Sequence, residues 1–314
     1  MPGPAVTARR ALDGRRVLVT GASGFIGRRL AAVLVDRGAE VHGVSRHPGD
    51  DPAVQWWTTD LGDADSATAV VHGVRPDVVL HLAGHVTGDR SLAAVGPTLR
   101  GNLLSTVHLL GAAASLPDPP LVVLAGSMEE PGGDTAGTVP GSPYAAAKVA
   151  ATGYGRLFHA LYDLPVVSLR VFMVYGPGRQ DEAKLVPYVI RSLLAGEAPA
   201  LSSGARAVDW VYVDDVVAAF LAAATADPVH DGLFEQSIDV GTGVLTTIRA
   251  VAERLAAEVG DGPGPRFGAV PDRLLEREPR ADPAPARALL GWSPVTALDE
   301  GLARTVAWFR EHDR

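Results

Sequence analysis

The hydrophobic positions of this chain change their period as it proceeds, and each change marks an element. Val17, Leu18 and Val19 form a short unbroken apolar run, which predicts a strand buried on both faces. Ile26, Leu30, Val33 and Leu34 then recur at helical spacing up to Gly38, so a helix follows. Further strands are predicted over 40–44, 77–82, 121–126 and 165–170, and helices over 64–73, 96–116 and from 143 to about Tyr162. In the second half, helices over 183–194, 214–225, 248–259, 284–290 and 298–309 surround strands over 208–213 and 238–241. Alternating strands and helices predict an α/β fold with a parallel sheet.

The first strand–helix connection carries glycine at positions 21, 24 and 27. Gly21 permits the tight turn, Gly24 lets the backbone approach a pyrophosphate, and Gly27 lets the helix pack close to the sheet. The helix N-terminus offers free N–H groups and a positive dipole end to the phosphates. In this context the glycines predict dinucleotide binding. At the end of the second strand an NAD site places Asp or Glu for the ribose hydroxyls. This chain has Ser45, Arg46 and His47 there, and no acid before Asp50. Arg46 would bind a 2′-phosphate with forked hydrogen bonds, so NADP(H) is preferred and NAD(H) stays open.

Composition narrows the classes. The 314 residues suffice for one large or two modest domains, with 47% hydrophobic and 20% charged residues. The net charge of −8 argues against a nucleic-acid partner. Without cysteine there are no disulfides and no thiolate chemistry. No run approaches the ~20 apolar residues of a membrane span, and Met1–Arg10 is basic without an apolar signal core. These features predict a cytoplasmic protein with no membrane partner and a flexible N-terminal tail over residues 1–14.

Tyr144 and Lys148 stand four apart on one predicted helix, so they share a face. A tyrosine ionises near pH ~10, and bringing it to neutrality takes about three units, or ~4 kcal/mol of preference for phenolate. A neighbouring ammonium supplies part of this and an oxidised nicotinamide ring supplies more. Ser127 lies just beyond the fourth of these strands, where open α/β sheets place their chemistry.

The run from Thr20 through Gly21, Ala22, Ser23, Gly24, Phe25 and Ile26 to Gly27, with Ser127, Tyr144 and Lys148 following in order, resembles the extended short-chain dehydrogenase/reductases. Those are nucleotide-sugar epimerases, dehydratases and ketoreductases, and the resemblance covers about residues 15 to 311. It implies a doubly wound parallel sheet of the Rossmann type over 15–170, joined by 207–242. A smaller C-terminal α/β substrate domain would use 171–206 and 243–314. It implies cofactor contacts from Gly21, Ser23, Gly24, Phe25, Ile26, Gly27, Ser45, Arg46, Asp60, Leu61, Leu82, Ala83, Gly84, Tyr144 and Lys148. Asp60 could equally cap the helix that starts at Ala64. Ser127, Tyr144 and Lys148 match the catalytic set of the family. Glu129 matches the base of its dehydratases, although Met128 stands where some of these carry an acid. Arg206, Arg273 and Arg280 fall near substrate-binding arginines, and Met173 replaces a substrate-contacting asparagine. The resemblance also implies a nucleotide-sugar substrate and a homodimer built on helices that include the Tyr144 helix.

Within the family, the Ser45–Arg46 signal favours NADPH-dependent reduction of a 4-keto nucleotide sugar. A 4-epimerase or 4,6-dehydratase that retains its cofactor is the alternative. A non-catalytic NADP sensor on the same fold is a third reading.

Overall fold

The computed structural model describes residues 12–131, 138–226, 232–234, 236–260, 262–273 and 276–312. The expected tail before Leu12, and residues 132–137 of the Gly/Pro-rich loop expected over Pro131–Gly141, lie outside the described residues. The chain divides into two compact units. The first is Met1–Arg170, Val217–Ile238 and Pro285–Trp292; the second is Val171–Val216, Asp239–Ala284 and Ser293–Arg314. Of the stretch 207–242 that the sequence groups with the cofactor-binding part, Val217–Ile238 falls in the first unit.

The first unit begins with β1 (Arg16–Thr20), α1 (Phe25–Asp36), β2 (Glu40–Ser45), β3 (Gln55–Thr58), α2 (Ala64–Val74) and β4 (Val78–His81). After α3 (Val95–Thr98) and α4 (Ser105–Ala114) come β5 (Leu121–Ser127), α5 (Pro143–Tyr162) and β6 (Val166–Val171). With β9 (Ser237–Val240), the strands form a seven-stranded sheet in the order β3-β2-β1-β4-β5-β6-β9. The pairs β3–β2, β2–β1, β1–β4 and β4–β5 are parallel. All four residues of β4 are buried, as the unbroken apolar run requires of a strand covered on both faces. Leu18 and Val79 pack with Val70 and Val71 of α2 and Leu109 and Leu110 of α4 in one core cluster.

Two local features depart from the expected pattern. The sequence pattern does not single out β3, whose four residues, none fully buried, show no clear alternation. The helix expected as one piece over 96–116 is interrupted by a π-helical turn over Leu99–Leu104. Asn102 sits in that turn, fully buried, and its side-chain amide donates to Thr98 O at 3.0 Å. It thereby takes the carbonyl that an α-helix would offer to the Asn102 backbone N–H.

In the second unit, β7 (Met173–Tyr175), β8 (Ala207–Tyr212) and β10 (Leu245–Thr247) form a sheet in the order β10-β8-β7. β8 is antiparallel to β10 and parallel to β7. Helix α7 (Val213–Ala224) follows β8, α9 (Pro283–Leu290) precedes the last helix, and α6 (Leu185–Leu194), α8 (Ile248–Val259) and α10 (Leu298–His312) pack on one another. Asp209, with no exposed surface, gathers this unit. One carboxylate oxygen accepts from Thr242 N at 2.8 Å and Thr242 Oγ1 at 2.7 Å. The other accepts from Gly243 N at 2.8 Å and Ala281 N at 3.1 Å. Four bonds to charge compensate its lost hydration.

Asp209→Ala would leave three backbone donors without their acceptor, at 1–3 kcal/mol or so for each buried orphan. We expect a loss on the order of 3 kcal/mol or more in chemical denaturation, and a smaller loss for Asp209→Asn, which keeps one acceptor oxygen. An unshifted midpoint in Asp209→Ala would refute this role.

Candidate active site

Strand order reverses between β1 and β4, and in open α/β sheets ligands bind outside that reversal. The two loops that leave it are crowded together. Gly21 has φ +68°, and a Cβ there would lie 2.8 Å from Ala83 N. A Cβ on Gly27 would lie 2.1 Å from Gly21 O, so α1 rests on the turn itself. Gly24 caps α1 without a side-chain hydrogen bond. The amides of Phe25, Ile26 and Gly27 therefore have no side-chain cap at the positive end of the helix. This cradle fits a dinucleotide pyrophosphate.

At the end of β2, Ser45 is buried and its hydroxyl donates to the His47 carbonyl, while Arg46 is exposed. Ser45 is thus committed to its own turn, which weakens it as a phosphate ligand. Arg28 makes two 2.8 Å bonds to the Asp50 carboxylate. Asp60 accepts from Gly62 N at 2.8 Å and from Arg100 Nε at 2.9 Å. The cap of α2 is Asp63, which accepts from Ser66 N at 2.9 Å, so Asp60 does not serve as the cap.

The β5 end and α5 bring together four residues that the sequence singles out. Ser142 caps α5 by accepting from Ala145 N at 3.0 Å, and Pro143 follows in the first turn. That start fixes where Tyr144 and Lys148 emerge; both are buried. The Tyr144 phenol lies beside the Ser127 side chain, which favours its ionised form. Lys148 Nζ donates to Ala125 O at 2.8 Å and lies 5.9 Å from the Tyr144 ring centroid. A Cβ on Gly84 would lie 3.7 Å from that Nζ, so the lysine adjoins the loop after β4. Glu129 is half-buried: its amide donates to Ser127 Oγ at 3.2 Å, and its carboxylate accepts from Ser142 Oγ at 2.8 Å.

Burial pushes the Tyr144 phenol well above its ordinary value; the Ser127 side chain opposes this, and the Glu129 and Glu130 carboxylates add to it. Burial pulls the Lys148 ammonium down, against the attraction of Glu130. The pair rests as neutral phenol until another positive charge arrives.

Sequence reasoning missed a polar chain beneath this site. Thr106 Oγ1 donates to Asn102 O at 2.6 Å, so it accepts from His81 Nε2 at 3.0 Å. His81 Nδ1 then accepts from Thr20 Oγ1 at 2.8 Å, and that oxygen accepts Ala83 N–H at 3.1 Å. These neighbours assign the neutral Nε2–H tautomer. They tie β1, β4 and the π turn together through buried groups. The sequence offered only a threonine before a glycine turn and a histidine closing an apolar strand.

The arginines expected at the substrate all lie in the second unit. Arg206 pairs with Glu276 at 3.3 Å, and its Nε donates to Arg277 O at 3.0 Å. Arg273 and Arg280 are exposed. Met173 is half-buried in β7, and Met128 is buried.

A reversed parallel sheet, a side-chain-free phosphate cradle and a buried Ser–Tyr–Lys cluster define an extended short-chain dehydrogenase/reductase. The model of the NAD dependent epimerase/dehydratase family matches residues 17–234, and the chain belongs to that family of nucleotide-sugar enzymes. It is 36% identical to a UDP-glucose 4-epimerase of Mycolicibacterium smegmatis, over 94% of this chain and 98% of the relative. It is 28% identical to a dTDP-glucose 4,6-dehydratase of Neisseria gonorrhoeae, over 95% and 96%. Among solved structures, the UDP-glucose 4-epimerase of Thermotoga maritima with UDP-glucose superposes with a TM-score of 0.85 at 27% identity, covering 95% of this chain and all of the other. The Thermus thermophilus enzyme in complex with NAD gives 0.80 at 30% identity, covering 94% and 99%. Among the described residues no helix is long and apolar enough to cross a membrane.

Burial holds the His81 imidazole down at about 3, with the Lys148 ammonium adding to the shift. Below pH ~6.5 an unfolded chain binds a proton here that the folded chain does not. Stability should therefore fall as pH drops from 6.5 toward 3, by up to about 1.4 kcal/mol per pH unit from this group. His81→Gln removes that contribution, so its stability should fall less steeply between pH 6 and 4. Equal slopes for the two proteins would count against a buried neutral histidine.

Proposed function

We propose that this protein is an NAD-dependent 4-epimerase of a nucleotide-activated hexose, with UDP-glucose and UDP-galactose as the first pair to test. The observation that carries the proposal is the buried cluster of Ser127, Tyr144 and Lys148, with Lys148 adjoining the loop after β4. The similarity to UDP-glucose 4-epimerases supports it over the NADPH-dependent ketoreduction suggested by Arg46. Enzymes as relatives also leave the sensor reading without support.

The residues fit the cofactor and divide the work. The amides at the start of α1 and the bare backbone of Gly21 and Gly24 would hold the pyrophosphate. Asp60 and Leu61 would meet the adenine, Leu82, Ala83 and Gly84 would line the crevice, and Lys148 would reach the nicotinamide ribose. Bound NAD would supply reversible hydride acceptance at the sugar C4. Ser127 orients the C4 hydroxyl. Tyr144 as phenolate takes the hydroxyl proton as the 4-ketone forms, and gives it back when the ketone is reduced on its other face. Lys148 favours that phenolate by its charge. Arg273 and Arg280 are assigned to the nucleotide diphosphate, and Arg206, already paired with Glu276, to holding the 276–278 segment. Exposed Tyr154, Leu157 and Leu161 on α5 support the expected homodimer.

A second reading rests on Glu129. Its amide on Ser127 Oγ and its carboxylate on Ser142 keep a base beside the serine, as 4,6-dehydration would need at C5. Met128, buried and without a proton to give, favours the epimerase.

Tyr144→Phe should keep the fold and NAD affinity while losing about 10²–10⁴-fold in turnover, the usual cost of a lost general acid–base. Near wild-type epimerisation in that variant would end the proposal. Turnover in deuterated water separates the two readings: an epimerase leaves C5 unlabelled and tolerates Glu129→Gln. Deuterium at C5 that disappears in Glu129→Gln would establish the dehydratase instead.

For the cofactor, we expect NAD to bind more tightly than NADP in direct titration. Arg46→Ala should weaken only the NADP form, and wild-type preference for NADP would restore the reading drawn from Arg46.

A further inference from the structure

One buried acid at the end of β5 has no part in the proposed reaction. Glu130 is 6% exposed, and its Oε1 accepts from Ser127 N at 2.6 Å. Its own amide donates to Ser127 O at 2.9 Å, and the Thr152 hydroxyl supports its carboxylate. A Cβ on Gly126 would lie 2.7 Å from the same Oε1, so the carboxylate fills the space that the glycine leaves. Lys148 meanwhile holds Ala125 O at 2.8 Å. Three successive residues of β5 are thus gripped by a base, left bare, and gripped by an acid. An apolar side chain would fill this space at less cost than an ionisable one, so the carboxylate calls for a role.

We infer that Glu130 is a positioning residue of the Tyr144–Lys148 pair: its carboxylate clamps the Ser127 amide and is the buried counter-charge that keeps Lys148 cationic. The inference rests on the reading of Ser127, Tyr144 and Lys148 as the reactive set. The charged and titratable groups that face Glu130 are Lys148 and Tyr144 from α5 and Arg170 from β6; Glu129, on its own segment, acts on Tyr144. His81 on β4 faces Lys148 and is neutral. Burial raises the Glu130 carboxyl and lowers the Lys148 ammonium, and each charge opposes the shift of the other. Arg170 helps to keep the carboxylate ionised. Removing the negative charge lets both Lys148 and Tyr144 release their protons at lower pH.

The chain contains two lysines, Lys148 and Lys184, so lysine labelled with ¹³C at Cε gives one reporter and one internal reference. The full-length protein with NAD⁺ added is titrated by NMR, as wild type and as Glu130→Gln, whose amide oxygen can still accept from Ser127. We expect the Lys148 midpoint to fall by about one pH unit in the variant, with Lys184 unmoved. Thr152→Val, which removes only the hydroxyl that supports the carboxylate, should move Lys148 the same way by less, and it serves if Glu130→Gln does not fold. An unmoved Lys148 midpoint in the folded variant overturns the inference, whatever its melting temperature. The titration needs no substrate. Full turnover in Tyr144→Phe would sink the reactive set, whereas a stationary Lys148 midpoint would sink the role of Glu130 alone.

Discussion

The turn after β1 has no room for a side chain at Gly21 or Gly27, and the rest of the first unit is arranged around that closeness. Helix α1 can rest on the Gly21 carbonyl only because Gly27 is bare. The loop after β4 can pass beside Gly21 only because that turn presents backbone alone. The closeness is then held from below. Thr20, His81, Thr106 and Asn102 form a buried hydrogen-bonded chain that ends on the Ala83 amide at one side and the π turn at the other. Each link in such a chain is satisfied only while its neighbours stay in place, so the two loops share one rigid footing.

The charges near the tyrosine follow a similar economy. A buried phenol flanked by two carboxylates is a poor base at rest. Under the proposed function its readiness would depend on positive charge from Lys148 and from the oxidised nicotinamide. A site built this way would ionise its tyrosine chiefly when the cofactor is bound in its oxidised form, which is when a proton acceptor is wanted.

Much of this was legible in the sequence because the demands are local. A β-branched run, a glycine turn and a 3.6-residue period need nothing beyond their own neighbourhood. Tyr144 and Lys148 could be read because helical spacing alone sets them on one face. Other features depend on partners distant in the chain. Glu130, an acid beside an acid at the edge of a Gly/Pro-rich loop, reads as solvated; Gly126, Thr152 and the Ser127 amide bury it. Arg206 reads as a ligand for phosphate until Glu276, seventy residues on, takes its guanidinium. Ser45 reads as a partner of a 2′-phosphate until its hydroxyl is seen turned to His47. The π turn was hidden because one asparagine amide, placed by His85 and Thr98, overrides the helical register. The short strands β3, β7 and β10 gave too few residues for a period to declare itself.

Asp209 also dictates an order of events during synthesis. Its last donor, the Ala281 amide, emerges from the ribosome seventy-two residues after it. The second unit is discontinuous, drawing on three separate stretches of the chain. Until 281 has been made, a carboxylate destined for complete burial has an incomplete set of donors, and β8 is a nascent strand waiting for its closing contacts. The first six strands of the large sheet need no such wait, since all end by Val171. Vectorial folding would therefore let the six strands that frame the cradle form while the other unit is still open, although the first unit itself closes only with Val217–Ile238 and Pro285–Trp292; NAD could then act on the growing chain as a pharmacological chaperone would, binding the strands already formed.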